Sequence, residues 1–144
     1  MIRSFGRGDG EALIGLVAAL ARYERLTPPT RAAGRRLVRD VGRRIRVKLA
    51  FVGGKAVGYA IYFFTYSSFL AKPTLYLEDI FVLPESRRHG IGKAFFRILL
   101  REAKREGCGR MEWTVLDWNT PALTFYRKIR ARPMKEWILF RKIL

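Results

Sequence analysis

Apolar residues recur three and four positions apart in several parts of the chain, a spacing that predicts helices. The first predicted helix covers residues 11–26, and Glu24 continues its apolar stripe at the carboxyl end. Thr30 is a candidate N-cap for a weaker helix that follows. A third helix is predicted from Gly92 to about Glu106, where Gly107 ends it. Its inward-facing residues are predicted to be Phe96, Leu99, Leu100 and Ala103.

Shorter apolar stretches between turn residues predict the strands. Residues 45–66 are predicted to form two strands joined at Gly53-Gly54, a dipeptide typical of hairpin turns. Residues 73–83 form a third predicted strand, which Pro84 closes. The remaining predicted elements are a strand at 110–116, a short helix at 120–128 and a strand at 135–143. This order of elements predicts an α/β layered fold around a mixed sheet.

Length and composition point to one packed domain. The 144 residues fit a single domain over 1–144, and 49% of them are hydrophobic. No apolar run approaches the ~18 residues that a membrane span needs. The first ten residues lack the hydrophobic core of a signal peptide, and the lone Cys108 has no partner for an internal disulfide. We therefore expect a cytoplasmic protein without a membrane segment.

The formal net charge is +17, from 21 arginines and eight lysines against 12 acidic residues. Such a charge attracts nucleic acids, acidic membranes and small polyanions. The basic residues are spread from Arg3 to Lys142, so either a general basic surface or a dedicated nucleic-acid face accounts for them. The sequence has no zinc-finger spacing, basic heptads or interleaved aromatic and basic residues. We expect nucleic acid to bind only through non-specific electrostatics.

The stretch SRRHGIGKA, residues 86–94, lies between the third predicted strand and the helix that follows it. A glycine-bearing turn at a helix N-terminus offers free backbone N–H groups and the positive end of the helix dipole, which together bind phosphate. An ordinary strand-to-helix turn is the alternative. A Walker loop would need glycine at Arg87, and a dinucleotide fingerprint would need glycine at Phe95, so neither motif fits.

Residues 87–92 of this turn resemble the Q/R-x-x-G-x-G/A signature of the GNAT superfamily of N-acetyltransferases. YLEDIFVLPESRRHGIGKA, WNTPALTFYRK, ALARYERL and YFFTY are similar to corresponding stretches of spermidine/spermine acetyltransferases and their thialysine-acetylating relatives. The resemblance implies a single-domain GNAT-like α/β fold, with a mixed, mostly antiparallel central sheet flanked by helices. It also implies acetyl-CoA as the cofactor and direct transfer of its acetyl group to a primary amine.

The same resemblance implies where coenzyme A binds. The turn cradles the pyrophosphate, and Arg88, which replaces a frequent glycine, is needed only for its backbone N–H. Backbone groups at 80–82 and the side chain of Asn119 face the pantetheine arm, although Asn119 also suits a helix cap. The implied cofactor residues are Ile80, Phe81, Val82, Arg87, Arg88, His89, Gly90, Ile91, Gly92, Lys93, Asn119, Pro121, Ala122 and Tyr126.

Two adjacent carboxylates, Glu78 and Asp79, interrupt the apolar third strand. Neighbouring strand residues point to opposite faces, so we expect the two side chains to have different roles. One alternative is an edge-strand charge or an ion pair with an arginine. The other is a carboxylate that attracts a cationic amine and helps to remove its proton, because an amine of pKa ~10.4 is almost wholly protonated at pH 7. The resemblance selects Glu78 for this role.

Tyr126 is the second candidate catalytic residue. In related acetyltransferases a tyrosine at this place lies near the coenzyme sulfur. A thiolate with a pKa near ~8.5 can accept a hydrogen bond or proton from a phenol of pKa ~10. A core aromatic is the alternative, for which Phe125 is the better candidate. His89 and Cys108 are far apart in sequence and have no partner histidine, so they predict neither a metal site nor a nucleophile pair.

Tyr23 and Glu24, at the end of the first predicted helix, are candidate contacts for a cationic acceptor, with a helix-terminal salt bridge as the alternative. Ser67 and Phe69 replace an acid and a tryptophan that help polyamine-acetylating relatives to hold their substrate. We therefore expect small diamines, thialysine-like amino acids or lysine side chains to be better acceptors than spermine. A protein lysine or N-terminal acetyltransferase is the alternative. The resemblance and the apolar final segment also predict a homodimer.

Overall fold

The computed structural model describes residues 1–144 as two compact units, Met1–Trp113 and Thr114–Leu144. In the first unit the strands are β1 (Ile2–Ser4), β2 (Arg46–Val52), β3 (Lys55–Ser67), β4 (Lys72–Val82) and β5 (Arg110–Glu112). Its helices are α1 (Gly10–Tyr23), α2 (Arg31–Asp40) and α3 (Ile91–Arg105), with a 3₁₀ turn at Pro84–Ser86. The second unit contains one helix, α4 (Thr120–Lys128).

The five strands form one sheet in chain order, with β1 to β4 antiparallel and β5 parallel to β4. This arrangement confirms the predicted α/β class with a mixed, mostly antiparallel sheet. The β2–β3 hairpin turns at Gly53 and Gly54, whose φ angles of 56° and 77° lie in the region that favours glycine. None of the helices has the length and apolarity that crossing a membrane requires.

Helices cover both faces of the sheet. The core beneath α1 joins Leu13 and Leu16 to Val47, Leu49, Tyr59, Ile61 and Phe81. Side chains alternate along a strand, so residues such as Lys48 and Tyr62 point to the opposite face. There the buried stripe of α3 packs, and Lys48 forms an ion pair with Glu102 at 3.3 Å. Helices therefore pack on both faces of the sheet that contains Glu78 and Asp79.

The inward face of α3 differs from the predicted one at two positions, Phe95 and Leu100. Phe95, Phe96, Leu99 and Ala103 are buried, whereas Leu100 is 49% exposed and was wrongly predicted to face inward. Residues 95, 99 and 103 lie one turn apart, which places the contact stripe on the side of Phe95. At the other end Gly107 has φ +71°, and the amides of Gly107 and Cys108 donate to Lys104 and Ala103. This Schellman motif confirms the predicted stop.

Two strand predictions were wrong, and one strand was missed. Strand β1 was not predicted, because three residues carry too little pattern to recognise. The predicted strand at 110–116 is ordered as a strand only over Arg110–Glu112. Residues 135–143 form no strand, although they are rich in strand-forming residues. Strand propensity expresses a fit to a neighbouring strand, so without a partner it does not produce one.

Candidate active site

The turn before α3 presents a row of free backbone amides. Gly90, with φ +78°, precedes the first helical residue, Ile91. The first amide of the helix with a protein acceptor is that of Ala94, which donates to Gly90 O at 2.9 Å. The six N–H groups from Arg88 to Lys93 have no acceptor within the protein. Together with the helix dipole, they fit the phosphate oxygens of coenzyme A.

Contacts of the Arg87 side chain stabilise this turn. The Nε of Arg87 donates to Val82 O at 2.8 Å, and its guanidinium stacks on the Tyr23 ring, 4.6 Å from the ring centre. Arg87 therefore ties the turn to β4 and to the end of α1. Arg88 has φ +67°, a left-handed conformation that favours glycine. His89 is exposed, and its Nδ1 lies 3.4 Å from Ser86 O.

The edge of β4 nearest this turn is open on one side. Strand β5 pairs with β4 only over Thr74–Tyr76, so the edge from Leu77 to Val82 has one strand neighbour, β3. The Phe81 side chain is buried and contacts the rings of Tyr23 and Tyr59. Residues 80–82 therefore present backbone N–H and C=O groups at the open edge. These groups can form hydrogen bonds with an extended ligand, as a neighbouring strand would.

A β-bulge reorients the two carboxylates of β4. Asp79 lies opposite Ile61 and Leu77 lies opposite Tyr62, which leaves Glu78 as the extra residue with no partner on β3. A bulge interrupts the alternation of side chains along the strand. Glu78 and Asp79 consequently line the same cavity, of about 370 Å³. The expectation that they occupy opposite faces was wrong, because it assumed a regular strand.

The cavity lies over the sheet between the first two helices. Its walls come from α1, α2, the segments that follow each of them, and β3. The lining residues other than the carboxylates are Ile14, Val17, Pro29, Ala33, Gly34, Leu37, Ile45, Ile61 and Phe63. Gly34 allows close packing of the two helices, because a Cβ there would lie 3.1 Å from Ile14. Glu78 and Asp79 are the only polar residues in the lining.

Asp79 has the most perturbed environment of the carboxylates. Burial, followed by the charge of Glu78, raises its pKa to about 6, and the charge of Glu24 acts in the same direction. The Tyr59 hydroxyl donates to Asp79 Oδ2 at 3.2 Å and opposes this rise. Burial also raises the pKa of Glu24. A buried carboxyl group with a pKa near 6 suits proton transfer close to neutral pH.

Sequence reasoning selected Glu24 and Glu78 but missed Asp79 and Tyr59. The sequence signal for an acidic site was the pair of adjacent carboxylates at 78 and 79. The sequence did not show which of the two is more buried, because that depends on the bulge. Glu78 is exposed, whereas Asp79 is half-buried behind it. Ser67 is buried at the end of β3, where its hydroxyl accepts from Leu70 N at 3.2 Å. Ser67 thus has a structural role in the β3–β4 turn.

The second unit holds the remaining candidates on or before α4. Asn119 is buried and caps this helix, with its Oδ1 accepting from Ala122 N at 3.3 Å, and Pro121 lies in the first turn. The cap that the sequence predicts is confirmed. Phe125 and Tyr126 are both half-buried, with ring centres 5.7 Å apart in an edge arrangement. Neither aromatic is fully enclosed in a core.

A comparison with known protein families identifies the kind of phosphate-binding turn that this chain contains. The family model described as acetyltransferase (GNAT) matches residues 16–130, which include the carboxyl half of α1, the bulged β4, the turn and α4. This chain belongs to the acetyltransferase (GNAT) family. The GNAT chain is therefore an acetyltransferase, and acetyl-CoA, the acyl donor of GNAT enzymes, is its cofactor.

Relatives of this GNAT chain acetylate amino acids with a terminal side-chain amine. The thialysine N-epsilon-acetyltransferase of Bos taurus is 32% identical over 155 residues, covering 98% of this chain and 91% of that protein. The L-ornithine N5-acetyltransferase of Arabidopsis thaliana is 44% identical over 84 residues, 58% of this chain. That match spans only 37% of the Arabidopsis protein.

A solved structure supports the fold independently. An aminoglycoside N-acetyltransferase in complex with CoA superposes with a TM-score of 0.77 at 23% identity, covering 100% of both chains. At this level of identity the agreement shows the fold alone. This chain and that aminoglycoside N-acetyltransferase therefore share one fold.

Proposed function

We propose that this enzyme transfers the acetyl group of acetyl-CoA directly to the primary amine of a small cationic acceptor, such as a diamine or a thialysine- or lysine-like amino acid. The observation that carries this proposal is the cavity between α1 and α2, whose only polar residues are Glu78 and Asp79. Two carboxylates in apolar surroundings favour a cation. The substrates named for the relatives, thialysine and ornithine, carry such an amine.

Backbone groups hold the cofactor in this proposal. The free amides of Arg88 to Lys93 bind the pyrophosphate, and the open edge at Ile80–Val82 pairs with the pantetheine arm. Acetyl-CoA, when bound, supplies the acetyl group as a reactive thioester. Asn119, Pro121 and Ala122 are assigned to cofactor binding by the resemblance of WNTPALTFYRK to the family.

The acceptor must lose protons to react. At neutral pH its amine is present almost wholly as the ammonium ion, which cannot attack the thioester. A base is therefore needed to remove a proton. Asp79 suits this task better than Glu78, the choice from the sequence, because Asp79 is more buried and its surroundings raise its pKa to about 6. The exposed Glu78 and the nearby Glu24 then attract the cation, with Tyr23 beside them. Asp79 would accept one proton of the ammonium and solvent the second, so that the nitrogen could bond to the acetyl carbon while the sulfur leaves with a proton from Tyr126.

Tyr126 supplies a proton or hydrogen bond to the departing sulfur. This role rests on its place in the TFYRK stretch and on the small gap between a phenol pKa of ~10 and a thiol pKa of ~8.5. Protonation prevents the thiolate from attacking the product.

We further propose that the enzyme is a cytoplasmic homodimer. The lone Cys108 supports a reducing compartment. The segment Trp137–Leu144 supports self-association, because its apolar side chains are largely exposed, Phe140 by 88%. Clustered exposed apolar residues mark an interaction surface.

Release of free coenzyme A thiol tests the proposed function. Acetyl-CoA is supplied with diamines, polyamines, thialysine, ornithine, lysine or a lysine-rich peptide, and product is identified by mass spectrometry. We expect turnover of the small amines above the rate of thioester hydrolysis. Turnover of the peptide alone would establish the protein-acetylating alternative, and no turnover of any amine would contradict the proposal.

A further inference from the structure

The cavity that contains the acceptor carboxylates has walls without hydrogen-bonding side chains. Its lining is aliphatic or aromatic apart from Glu78 and Asp79, and both carboxylates belong to β4. The three residues from α2 are Ala33, Gly34 and Leu37, the apolar face of an otherwise basic helix. A ligand in this cavity therefore meets charge only beside β4 and hydrocarbon elsewhere.

This distribution has an electrostatic consequence for a chain-like amine. We call the chain of atoms that carries the reacting primary amine the arm of the acceptor. An ammonium beside β4 is compensated by two carboxylates, whereas a second ammonium within the arm would lose its water without gaining a partner. Desolvation of an unpaired polar or charged group carries a free-energy penalty, while methylene groups gain from the same surroundings. The cavity thus discriminates by the charge of the arm rather than by its length.

The solvent side of α2 acts in the same direction. Arg31, Arg35, Arg36 and Arg39 are exposed on this helix, and its one carboxylate, Asp40, pairs with Arg44 at 3.8 Å. With 3.6 residues per turn, Arg31 and Arg36 flank the stripe of Ala33, Gly34 and Leu37 on either side. These arginines repel additional ammonium groups beside the cavity and attract a carboxylate.

We propose that the acceptor presents its primary amine on an uncharged arm, with any further charge outside the cavity, and that amines with an internal ammonium are rejected. This inference rests on the proposed function and names its substrate class: amino acids with a terminal side-chain amine and long-spaced diamines, rather than polyamines. An ornithine or thialysine side chain meets the requirement, because its arm carries no charge. Spermidine does not.

A matched pair of acceptors isolates the charge of the arm. Spermidine and α,ω-diaminooctane have the same length and the same terminal amines, and differ by a secondary amine in place of one methylene. We expect kcat/KM to be at least about tenfold higher for diaminooctane, the factor that about 1.4 kcal/mol gives. Equal values, or a preference for spermidine, would overturn the inference.

A pair of variants tests whether α2 is responsible. Ala33→Glu places a carboxylate in the cavity wall, and Ala32→Glu places the same charge on the neighbouring exposed position of the helix. We expect Ala33→Glu to improve spermidine relative to diaminooctane by about tenfold and Ala32→Glu to leave the ratio unchanged. Leu37→Glu, from the next turn of the same wall, repeats the test if Ala33→Glu does not fold. An equal shift in the cavity and control variants would contradict the assignment.

Calorimetric dissociation constants of both amines, measured with coenzyme A present, separate this inference from the proposed function. A tighter binding of diaminooctane supports the uncharged-arm cavity even where no acetyl group is transferred. Transfer to both amines with equal affinity would sustain the proposed function and overturn the inference.

Discussion

At the scale of single residues, Asp79 shows how one inserted residue sets the chemistry of a site. The extra residue at Glu78 turns both carboxylates toward one cavity. Burial, followed by the charge of Glu78, raises the cost of ionising Asp79, and the Tyr59 hydroxyl donates a hydrogen bond to Asp79 Oδ2 at 3.2 Å. The result is a carboxyl group that ionises close to neutral pH.

Asp79→Asn should remove the base while keeping the shape of the side chain. For the unaltered enzyme we expect activity to rise with pH through about 6, because only the ionised carboxylate accepts a proton. The variant should lose about 10²- to 10⁴-fold in kcat and show no rise near that pH. Full pH profiles of kcat and KM measure both effects.

Glu78→Gln is the matched control. It removes the neighbouring charge that raises the pKa of Asp79, so the acidic limb should move to lower pH and KM should rise. If the acidic limb of the pH profile disappeared in Glu78→Gln and remained in Asp79→Asn, the general base would be Glu78 and not Asp79.

The same carboxyl group should affect stability with a defined sign. Its pKa is about 6 in the fold against 3.8 as its ordinary value, so the native state loses stability as pH rises between these values. The difference of about two pH units corresponds to about 3 kcal/mol. We expect Asp79→Asn to be more stable than the unaltered enzyme in urea at pH 8, with the gain shrinking towards pH 4. A gain independent of pH would contradict this cause.

Tyr126→Phe tests the leaving-group role. Removal of the hydroxyl should lower kcat by about 10- to 100-fold while leaving the affinity for acetyl-CoA nearly unchanged, because the proton is needed only as the sulfur departs. Phe125→Leu, which alters the neighbouring ring and leaves the hydroxyl in place, is the control. Parallel losses of affinity and kcat in Tyr126→Phe would mark a packing role instead.

At the scale of secondary-structure elements, the two ends of α3 contain glycines in the same conformation with different duties. Gly90 has φ +78° and Gly107 has φ +71°, and an added Cβ would meet no protein atom within 4 Å at either place. Gly107 completes a Schellman motif, whereas Gly90 lies among amides with no protein acceptor. One end closes a helix, and the other is left open for a ligand.

Gly90→Ala and Gly107→Ala form a matched pair for this difference. Both should lower stability by about 1 kcal/mol, since each places a Cβ in a left-handed conformation. Gly90→Ala alone should weaken coenzyme A binding, by about tenfold or more, because its Cβ occupies the path of the pyrophosphate. Calorimetric titration with coenzyme A and thermal melts measure the two effects. Equal affinity in both variants would remove the turn from the cofactor site.

At the scale of the whole molecule, the final segment is the clearest unsatisfied surface. Trp137 and Phe140 are 72% and 88% exposed, and their neighbours Ile138, Leu139 and Ile143 are similarly open. Isolated exposed apolar residues are ordinary, but five within seven positions form a patch. A second copy of the chain is the occupant that we propose.

Trp137→Ser combined with Phe140→Ser should therefore shift the enzyme from dimer to monomer. Phe69→Ser, which changes a 98% exposed aromatic in the β3–β4 turn, should leave the mass unchanged. Light scattering across a wide range of protein concentrations measures both. A monomeric mass for the unaltered enzyme at every concentration would end the dimer proposal.

Local interactions made much of this enzyme predictable from its sequence. The hairpin at Gly53-Gly54, the stop at Gly107 and the cap at Asn119 depend on residues within a few positions of one another, so the sequence contains their cause. The phosphate-binding turn at 86–94 could be predicted from the sequence for the same reason. The fold class followed from the order of the predicted elements, and the family and the cofactor from the resemblance of this turn and other stretches to GNAT acetyltransferases.

The acceptor site depended on contacts that no local pattern contains. The bulge at Glu78 arises from the register between β3 and β4, and the burial of Asp79 from the two helices packed above the sheet. The strand expected at 135–143 failed for a related reason, since its residues had the propensity but lacked a partner. Sequence determined what each segment favours; register and packing, which join residues far apart in the chain, decided which carboxylate is buried and what surrounds it.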